Sequence, residues 1–121
     1  MTTIGILALQ GCVDPHIAHF QRLGVSTRTV RYAEDLTGLS GLVLPGGEST
    51  TMYKLMHVHR VFDALRQFCS CTPVWGICAG SILLSSEVEN PSQDSLQVAA
   101  IRAERNSYGS QLESFKTALA V

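Results

Sequence analysis

The sequence predicts an α/β protein built on a doubly wound, mostly parallel sheet with helices on both faces. Two observations predict this fold: apolar runs without alternation, which are typical of strands covered on both faces, and helical periodicity in the segments between them. A third concerns two unusual loops, at Gly46-Gly47 and at Cys78, which both follow predicted strands. Open α/β sheets place their ligands at these carboxyl ends of strands.

The first strands follow directly from the apolar pattern. Residues 4–9 form a near-continuous apolar run and are predicted to be the first, buried strand. Residues 26–30 carry enough polar side chains to predict a second, more exposed strand. Residues 41–44 are again apolar and predict a third strand, which leads into the loop and helix that start at residues 45–51.

Between the first two strands the sequence predicts a helix with defined ends. Asp14 is expected to be its N-cap, with Pro15 at the first helical position, and Gly24 is expected to end it. The expected buried face consists of Ile17, Phe20 and Leu23.

The segment after the third strand predicts further helix, interrupted near residues 57–60. Apolar side chains recur there at helical spacing, at Met52, Leu55, Met56, Phe62, Leu65 and Phe68. A strand containing Trp75 is expected next. Residues 87–95 are polar and predict a loop, and residues 98–103 predict another strand.

Five residues between two apolar runs, Gly76-Ile77-Cys78-Ala79-Gly80, form the most informative motif of the chain. A G-x-C-x-G step between a buried strand and a helix has the form of a nucleophile elbow. The backbone turns so sharply there that the residues two before and two after the nucleophile can carry almost no side chain. The sulfur is exposed at a helix N-terminus, where partial positive charge favours a thiolate. The motif therefore favours a nucleophilic Cys78 over a buried structural cysteine between packing glycines.

Composition and charge restrict the classes of function. The 121 residues can bury one core, so residues 1–121 are expected to form a single domain. A net charge of −1 indicates neither nucleic acid nor an acidic membrane surface as a partner. No apolar run approaches the roughly 20 residues that span a bilayer, and residues 1–4 lack the basic region of a signal peptide. A cytoplasmic location is expected.

The four cysteines do not predict a metal centre. The spacings of Cys12, Cys69, Cys71 and Cys78 fit neither a C-x-x-C redox pair nor a zinc ligand set. Cys69 and Cys71 are expected at the end of a helix and in the turn after it, where packing is the simpler role. A reduced chain with one reactive thiol accounts for this pattern.

Four segments, in order along the chain, resemble one family of enzymes. They are GILALQG at residues 5–11, LPGGESTTM at residues 44–52, GICAG at residues 76–80 and ERNSYG at residues 104–109, and QLESF at residues 111–115 continues the pattern. On these segments the chain resembles the glutaminase subunits of pyridoxal 5'-phosphate synthase, which are class I glutamine amidotransferases. A lone G-x-C-x-G would be weak evidence, whereas four motifs in order are specific.

The resemblance implies a class I glutamine amidotransferase fold, which is flavodoxin-like, and hydrolysis of L-glutamine to L-glutamate and ammonia. It implies that the ammonia passes to a separate synthase subunit, which makes pyridoxal 5'-phosphate from a pentose phosphate and a triose phosphate. The implied partners are L-glutamine and the synthase subunit, in a hetero-oligomer. The resemblance implies no metal and no bound cofactor, and the charge and hydropathy given above indicate no nucleic acid and no membrane as partners.

The resemblance also assigns roles by position. Cys78 matches the nucleophile that attacks the side-chain amide, and the oxyanion hole matches Gly46, Gly47 and the N–H of Ala79. The positions that hold glutamine match Gly47, Glu48, Ser49 and Arg105. The residue types suit these roles, because an amide needs donors already aimed at its oxyanion and a guanidinium offers a fixed fork to a carboxylate.

One part of the family pattern has no match in this sequence. Family members carry a His-x-Glu pair far downstream of the cysteine, and its histidine activates the thiol and protonates the leaving ammonia. The four histidines here, His16, His19, His57 and His59, all precede Cys78, and none matches this base. We therefore expect an N-terminal part of such a subunit, with a C-terminally incomplete sheet, that has no useful glutaminase activity alone.

Two alternatives stay open at this point. One is a shortened, inactive amidotransferase-like module that binds the synthase or glutamine without hydrolysing it, and the missing base favours it. The other is a different α/β protein with a cysteine elbow, such as a relative of the class I peptidase and chaperone group. The LPGGEST loop argues against the second alternative, because a loop dedicated to an oxyanion and an amino acid fits an amidotransferase better.

Overall fold

A computed structural model describes residues 2–89, 93–105 and 115–119 of the chain, apart from the side chains of residues 101, 104, 105 and 115–119. Its elements are β1 (Thr3–Leu7), α1 (Asp14–Arg22), β2 (Ser26–Val30), β3 (Gly41–Leu44), α2 (Ser49–Val58), α3 (Phe62–Cys71), β4 (Val74–Gly76), α4 (Ala79–Leu84), β5 (Ser85–Glu89), β6 (Ala99–Arg105) and β7 (Phe115–Leu119). A short 3-10 helix, Ala33–Leu36, precedes β3. The predicted interruption between two helices is confirmed, because α2 ends at Val58 and α3 begins at Phe62.

Four parallel strands form the main sheet, in the order β2-β1-β3-β4. Gly5 of β1 lies opposite Arg28 of β2 on one side and Leu42 of β3 on the other. The chain therefore leaves β1 in one direction, returns, and continues in the other, which is the doubly wound topology that the sequence predicts. The strand order reverses between β1 and β3, so ligands are expected at the carboxyl ends of these two strands.

Helices cover both faces of this sheet, as predicted, but unequally. On one face, Leu44 packs with Met52, Met56 and Leu65 from α2 and α3 in a fully buried cluster that α4 joins through Leu83. On the other face lies α1, and its Phe20 lines an open apolar cavity of about 200 Å³ together with strand residues. The loops at Gly46-Gly47 and Cys78 lead into α2 and α4, so they belong to the more densely packed face.

The N-terminal helix differs from its prediction in two respects. Val13, not Asp14, is the N-cap of α1, so Asp14 is the first helical residue and Pro15 the second. Leu23 is 63% exposed, because the helix ends at Arg22, whereas Ile17 and Phe20 of the expected face are half-buried. The predicted end at Gly24 is confirmed: its φ is +73° and its N–H donates to the carbonyl of Gln21 at 3.0 Å.

A second sheet follows α4 where the sequence predicts a polar loop. Its order is β5-β6-β7, with β5 parallel to β6 and β6 antiparallel to β7. The predicted loop at residues 87–95 is wrong in its first part, because Val88 is buried against Ala103 and residues 87–89 belong to β5. Part of ERNSYG and most of QLESF, at residues 106–114, lie outside the described residues. No helix within the described ranges is long and apolar enough to cross a membrane.

Candidate active site

Cys78 lies on the turn between β4 and α4, in a strained backbone conformation. Its φ of 51° and ψ of −110° fall in a region that residues with a side chain rarely adopt. Such strain persists only where the surrounding structure enforces it, and it is concentrated at functional sites. The sharp strand-to-helix turn predicted for a nucleophile elbow is therefore present at this cysteine.

Two glycines make this turn sterically possible. A Cβ at Gly80 would lie 2.0 Å from the carbonyl oxygen of Leu44, and a Cβ at Gly76 would lie 2.8 Å from the carbonyl oxygen of Gly80. The N–H of Ile77 also donates to Leu44 at 2.9 Å, which fixes the turn against β3. The expectation that these two positions can hold almost no side chain is thus confirmed.

Hydrogen bonds from α4 hold the Cys78 backbone in place. Its carbonyl accepts from the N–H of Ser81 at 3.0 Å, from the Ser81 hydroxyl at 2.7 Å and from the N–H of Ile82 at 3.2 Å. Ala79 is the first residue of the helix, so its N–H has no intrahelical acceptor. This N–H is directly adjacent in the chain to the cysteine, which is where an oxyanion donor is expected.

The glycine loop after β3 lies beside the elbow. A Cβ at Gly46 would be only 3.7 Å from the Cβ of Cys78. The carbonyl of Gly46 accepts from the N–H of Cys12 at 3.0 Å, and because the peptide is planar the N–H of Gly47 points the opposite way. Gly11, with a φ of +107°, permits this approach, since a Cβ there would lie 2.1 Å from the Gly46 oxygen.

Gln10 holds the same loop through its side chain, which the sequence analysis did not find. Its Oε1 accepts from the backbone N–H of Glu48 at 2.9 Å. The available signal was position, because Gln10 follows β1 at the edge where the strand order reverses. The Glu48 carboxylate accepts from the N–H of Thr51 at 2.6 Å and so caps α2.

Ser49 lies at the start of α2 and is buried. Its exposed fraction is 3%, and its hydroxyl donates to Oε1 of Gln93 at 3.1 Å, with the hydroxyl of Thr50 at 3.5 Å from the same oxygen. The sequence does not predict this contact of Gln93, because Gln93 is only one of several polar residues in the predicted loop. The structure thus brings Gly46, Gly47, Glu48, Ser49, Cys78 and Ala79 to the ends of two adjacent strands.

For Arg105, the last of the predicted site residues, the structure describes only the backbone. Its backbone ends β6 in the second sheet, opposite Phe115. Its side chain lies outside the described side chains, so its role stays a prediction.

The histidines that follow α1 make aromatic contacts. The ring of His57 stacks on Phe62 with centroids 4.5 Å apart, and that of His59 lies 5.2 Å from Tyr32. His59 is partly buried, and its Nδ1 is buried with no hydrogen-bond partner among the described residues.

The other cysteines differ from Cys78 in their surroundings. Cys69 is in the last turn of α3, and burial raises the pKa of its thiol to about 11. Cys12 and Cys71 are exposed, and no disulfide joins the four cysteines. Within the described ranges, no group of three or more His, Cys, Asp or Glu side chains could hold a metal ion.

These features define the class of the protein: a doubly wound α/β protein that carries a cysteine on a strained strand-to-helix turn, with a glycine loop beside it. A comparison with protein families shows which family within this class the chain belongs to. The model of the SNO glutamine amidotransferase family matches residues 6–121, and the chain belongs to this family.

Curated relatives agree with this assignment. Proteins named pyridoxal 5'-phosphate synthase subunit PdxT, from Caldicellulosiruptor bescii and Haemophilus ducreyi, are 48% and 44% identical over 117 and 119 residues. The matches cover 96% and 98% of this chain and 62% of each relative. The chain thus spans about three fifths of the length of the curated relatives it matches.

Solved structures confirm the fold. A crystal structure described as a glutamine amidotransferase superimposes with a TM-score of 0.80 at 40% identity, covering 89% of this chain and 59% of that one. A putative peptidase E from Listeria monocytogenes superimposes with a TM-score of 0.65 at 12% identity, covering 80% of this chain and 62% of that one. The second similarity concerns the fold alone.

Proposed function

We propose that this chain carries the glutamine site of a glutaminase that supplies ammonia to pyridoxal 5'-phosphate synthase. The observation that supports this most directly is Cys78 on its strained turn with Gly46 beside it. The family supports the reaction class, and the relatives named as synthase subunits support the partner. The ligand is L-glutamine, and no cofactor takes part in the proposed step.

The proposed chemistry begins at the sulfur of Cys78. The thiolate attacks the side-chain amide carbon of glutamine, and the carbonyl oxygen becomes an oxyanion. The N–H groups of Gly47 and Ala79 donate to this oxyanion, which lowers the barrier because they are oriented before the charge develops. Collapse of the tetrahedral intermediate breaks the carbon–nitrogen bond and leaves a thioester on Cys78. The nitrogen leaves as ammonia after taking from solvent water the equivalent of the proton that the thiol gave up. Water then hydrolyses the thioester to glutamate and restores the thiol.

In this proposal the substrate is held by the loop before α2 and by Arg105. Gly47, Glu48 and Ser49 are contiguous with the oxyanion donors, so a glutamine bound there lies within one loop of Cys78. A guanidinium at position 105 pairs with the α-carboxylate of glutamine. Together they fix both ends of the substrate.

A second candidate is a module that binds glutamine or the synthase without hydrolysis. The contacts of His57 and His59 with aromatic rings favour it, because these side chains serve packing in the described structure. Loss of a general base typically lowers a rate by about 10²–10⁴-fold.

An ammonia-release assay, run with the synthase subunit and beside the relative from Caldicellulosiruptor bescii, separates the two candidates. Calorimetry with L-glutamine provides the binding measurement. We expect the 121-residue chain to bind glutamine and to turn over far more slowly than the relative. Comparable turnover would mean that one of the four histidines, or a partner residue, is the base. Absence of glutamine binding with the synthase present would contradict the proposed function.

A further inference from the structure

Residues 93–98 form an irregular segment between β5 and β6 that contacts α2, α3 and α4, and we refer to it as the strap. Its centre is anchored to α4, because the N–H of Leu96 donates to Leu83 at 2.7 Å and the N–H of Val98 donates to Leu84 at 3.2 Å. The Leu96 side chain is fully buried in the main core. The middle of the strap is therefore packed into the core of the protein.

Side chains anchor the strap at further points. The guanidinium of Arg66 in α3 donates to the Leu96 carbonyl at 3.1 Å and to the side-chain oxygen of Gln97 at 2.9 Å. The buried hydroxyl of Ser95 donates to the carbonyl of Ser85 at 2.5 Å. At the preceding residue, Asp94, the carboxylate accepts a hydrogen bond from the hydroxyl of Tyr53 in α2. Burial, with the Asp94 charge second, raises the pKa of this tyrosine.

This anchored strap presents Gln93 to the first turn of α2. Its Oε1 accepts from the hydroxyl of Ser49, a residue that is 3% exposed, and lies 3.5 Å from the Thr50 hydroxyl. A buried hydroxyl that loses its acceptor cannot turn to water instead, so it either stays unpaired or moves. The position of Ser49, and with it the end of the glycine loop, thus depends on the Gln93 oxygen.

We propose that Gln93 is a positioning residue for the glutamine site: it fixes Ser49 and the first turn of α2, and so the loop that holds the substrate. This inference rests on the proposed function. Gln93 acts through Ser49 and does not touch the reacting atoms. Its loss should therefore weaken binding of glutamine and leave the chemical step at Cys78 almost unchanged.

The test uses inactivation of the chain by an electrophilic glutamine analogue, in the presence of the synthase subunit. KI, the analogue concentration that gives half of the maximal inactivation rate, reports binding. The maximal inactivation rate constant, kinact, reports the reaction at Cys78. Gln93→Leu removes the acceptor and should raise KI about threefold to tenfold, with kinact within about twofold. Gln93→Glu keeps an acceptor oxygen and should match the parent.

Two controls connect the effect to the hydrogen bond. Ser49→Ala removes the same bond from the other side and should raise KI at least as much, because Ser49 also belongs to the substrate loop; the double variant Ser49→Ala/Gln93→Leu should add little beyond Ser49→Ala. Equal KI values in the parent and Gln93→Leu would overturn the proposal. Equal losses in Gln93→Leu and Gln93→Glu would also overturn it, because they would indicate packing and not an acceptor.

Amide hydrogen exchange separates this proposal from the proposed function. In Gln93→Leu, exchange at the first turn of α2 should be faster than in the parent and in Gln93→Glu. If the analogue does not label the parent saturably, the proposed function fails, and exchange alone decides the positioning role. Unchanged exchange at that turn would then overturn it.

Discussion

Gly46 and Cys78 lie side by side across the ends of β3 and β4, so close that a Cβ on the glycine would contact the Cβ of the cysteine at 3.7 Å. The parallel register of these strands produces this relationship, since Leu44 lies opposite Gly76 and the chain continues from each for two residues to reach the pair. The thiol and the loop's backbone donors are thereby positioned by a sheet and not by a mobile segment. Preorganised donors of this kind are what an oxyanion requires.

The elbow glycine after the cysteine should be intolerant of any side chain. Gly80→Ala places a Cβ against the Leu44 carbonyl, a backbone atom that cannot move cheaply, and should lower the free energy of unfolding by about 3 kcal/mol. Gly46→Ala is the matched control, because its Cβ would make only ordinary contacts. Thermal unfolding measures both variants. Equal melting temperatures would show that the turn is not closely packed.

A side chain in the glycine loop should affect the reaction more than the fold. A Cβ at Gly47 would lie 2.5 Å from the side-chain oxygen of Gln10, so Gly47→Val displaces the group that holds the N–H of Glu48. We expect kcat for glutamine to fall in the assembled synthase complex, since oxyanion donors act mainly on the transition state. A rise in KM with kcat unchanged would assign the loop to substrate binding alone.

Arg105 should act on substrate binding. Arg105→Ala removes the charge-assisted contact that we propose with the α-carboxylate and should raise KM for glutamine about 10-fold to 150-fold. Arg102→Ala is the control on the same strand, because Arg102 is exposed and pairs with Glu89 at 2.5 Å. Kinetics of both variants in the assembled complex provide the measurement. An unchanged KM in Arg105→Ala would remove this residue from the site.

A helix end offers a prediction about stability alone. Arg60 follows the C-cap of α2 with a φ of 55°, where its N–H donates to His57 and the next N–H donates to Met56. Gly24 occupies the same position after α1, and glycine is the residue that this conformation favours. Arg60→Gly should therefore stabilise the fold by about 1 kcal/mol. Denaturant unfolding tests this value.

The matched control is the last residue of the other helix, where the backbone has ordinary helical geometry. Arg22→Gly, at the last residue of α1, should destabilise the fold by about 0.5–1 kcal/mol, because glycine there costs entropy and relieves no strain. If both variants shift the free energy of unfolding in the same direction, the strain assigned to Arg60 is absent.

The fold class and the elbow could be predicted from sequence because their signals are local. Apolar runs identify β1 and β3. The glycines around Cys78 are needed because a Cβ at Gly76 would clash with Gly80, and a Cβ at Gly80 would clash with Leu44 on the adjacent strand. The two glutamates among residues 87–89 predict a loop. These residues form a strand nevertheless, because β5 is the edge of a small sheet and only Val88 among them is buried.

The remaining misses depend on contacts distant in sequence. The hydrogen bond between Ser49 and Gln93 joins residues 44 positions apart, and nothing near either residue indicates it. Leu23 fits the apolar stripe of α1 but lies beyond the last helical residue, and it is exposed. Helical spacing predicts which residues share a face and does not predict where the helix stops contacting its neighbours.

The most direct test of the account is where an electrophilic glutamine analogue reacts. We expect mass spectrometry to find the label on Cys78, with protection by excess L-glutamine. Cys12 and Cys71 are exposed and should react only as slowly as free thiols, while burial keeps the pKa of Cys69 at about 11 and its thiol protonated near neutral pH. Cys78→Ser should abolish the labelling without changing the melting temperature. Equal labelling of all four cysteines, or labelling of Cys78 that glutamine does not suppress, would contradict the central claim that Cys78 is the nucleophile of a glutamine site.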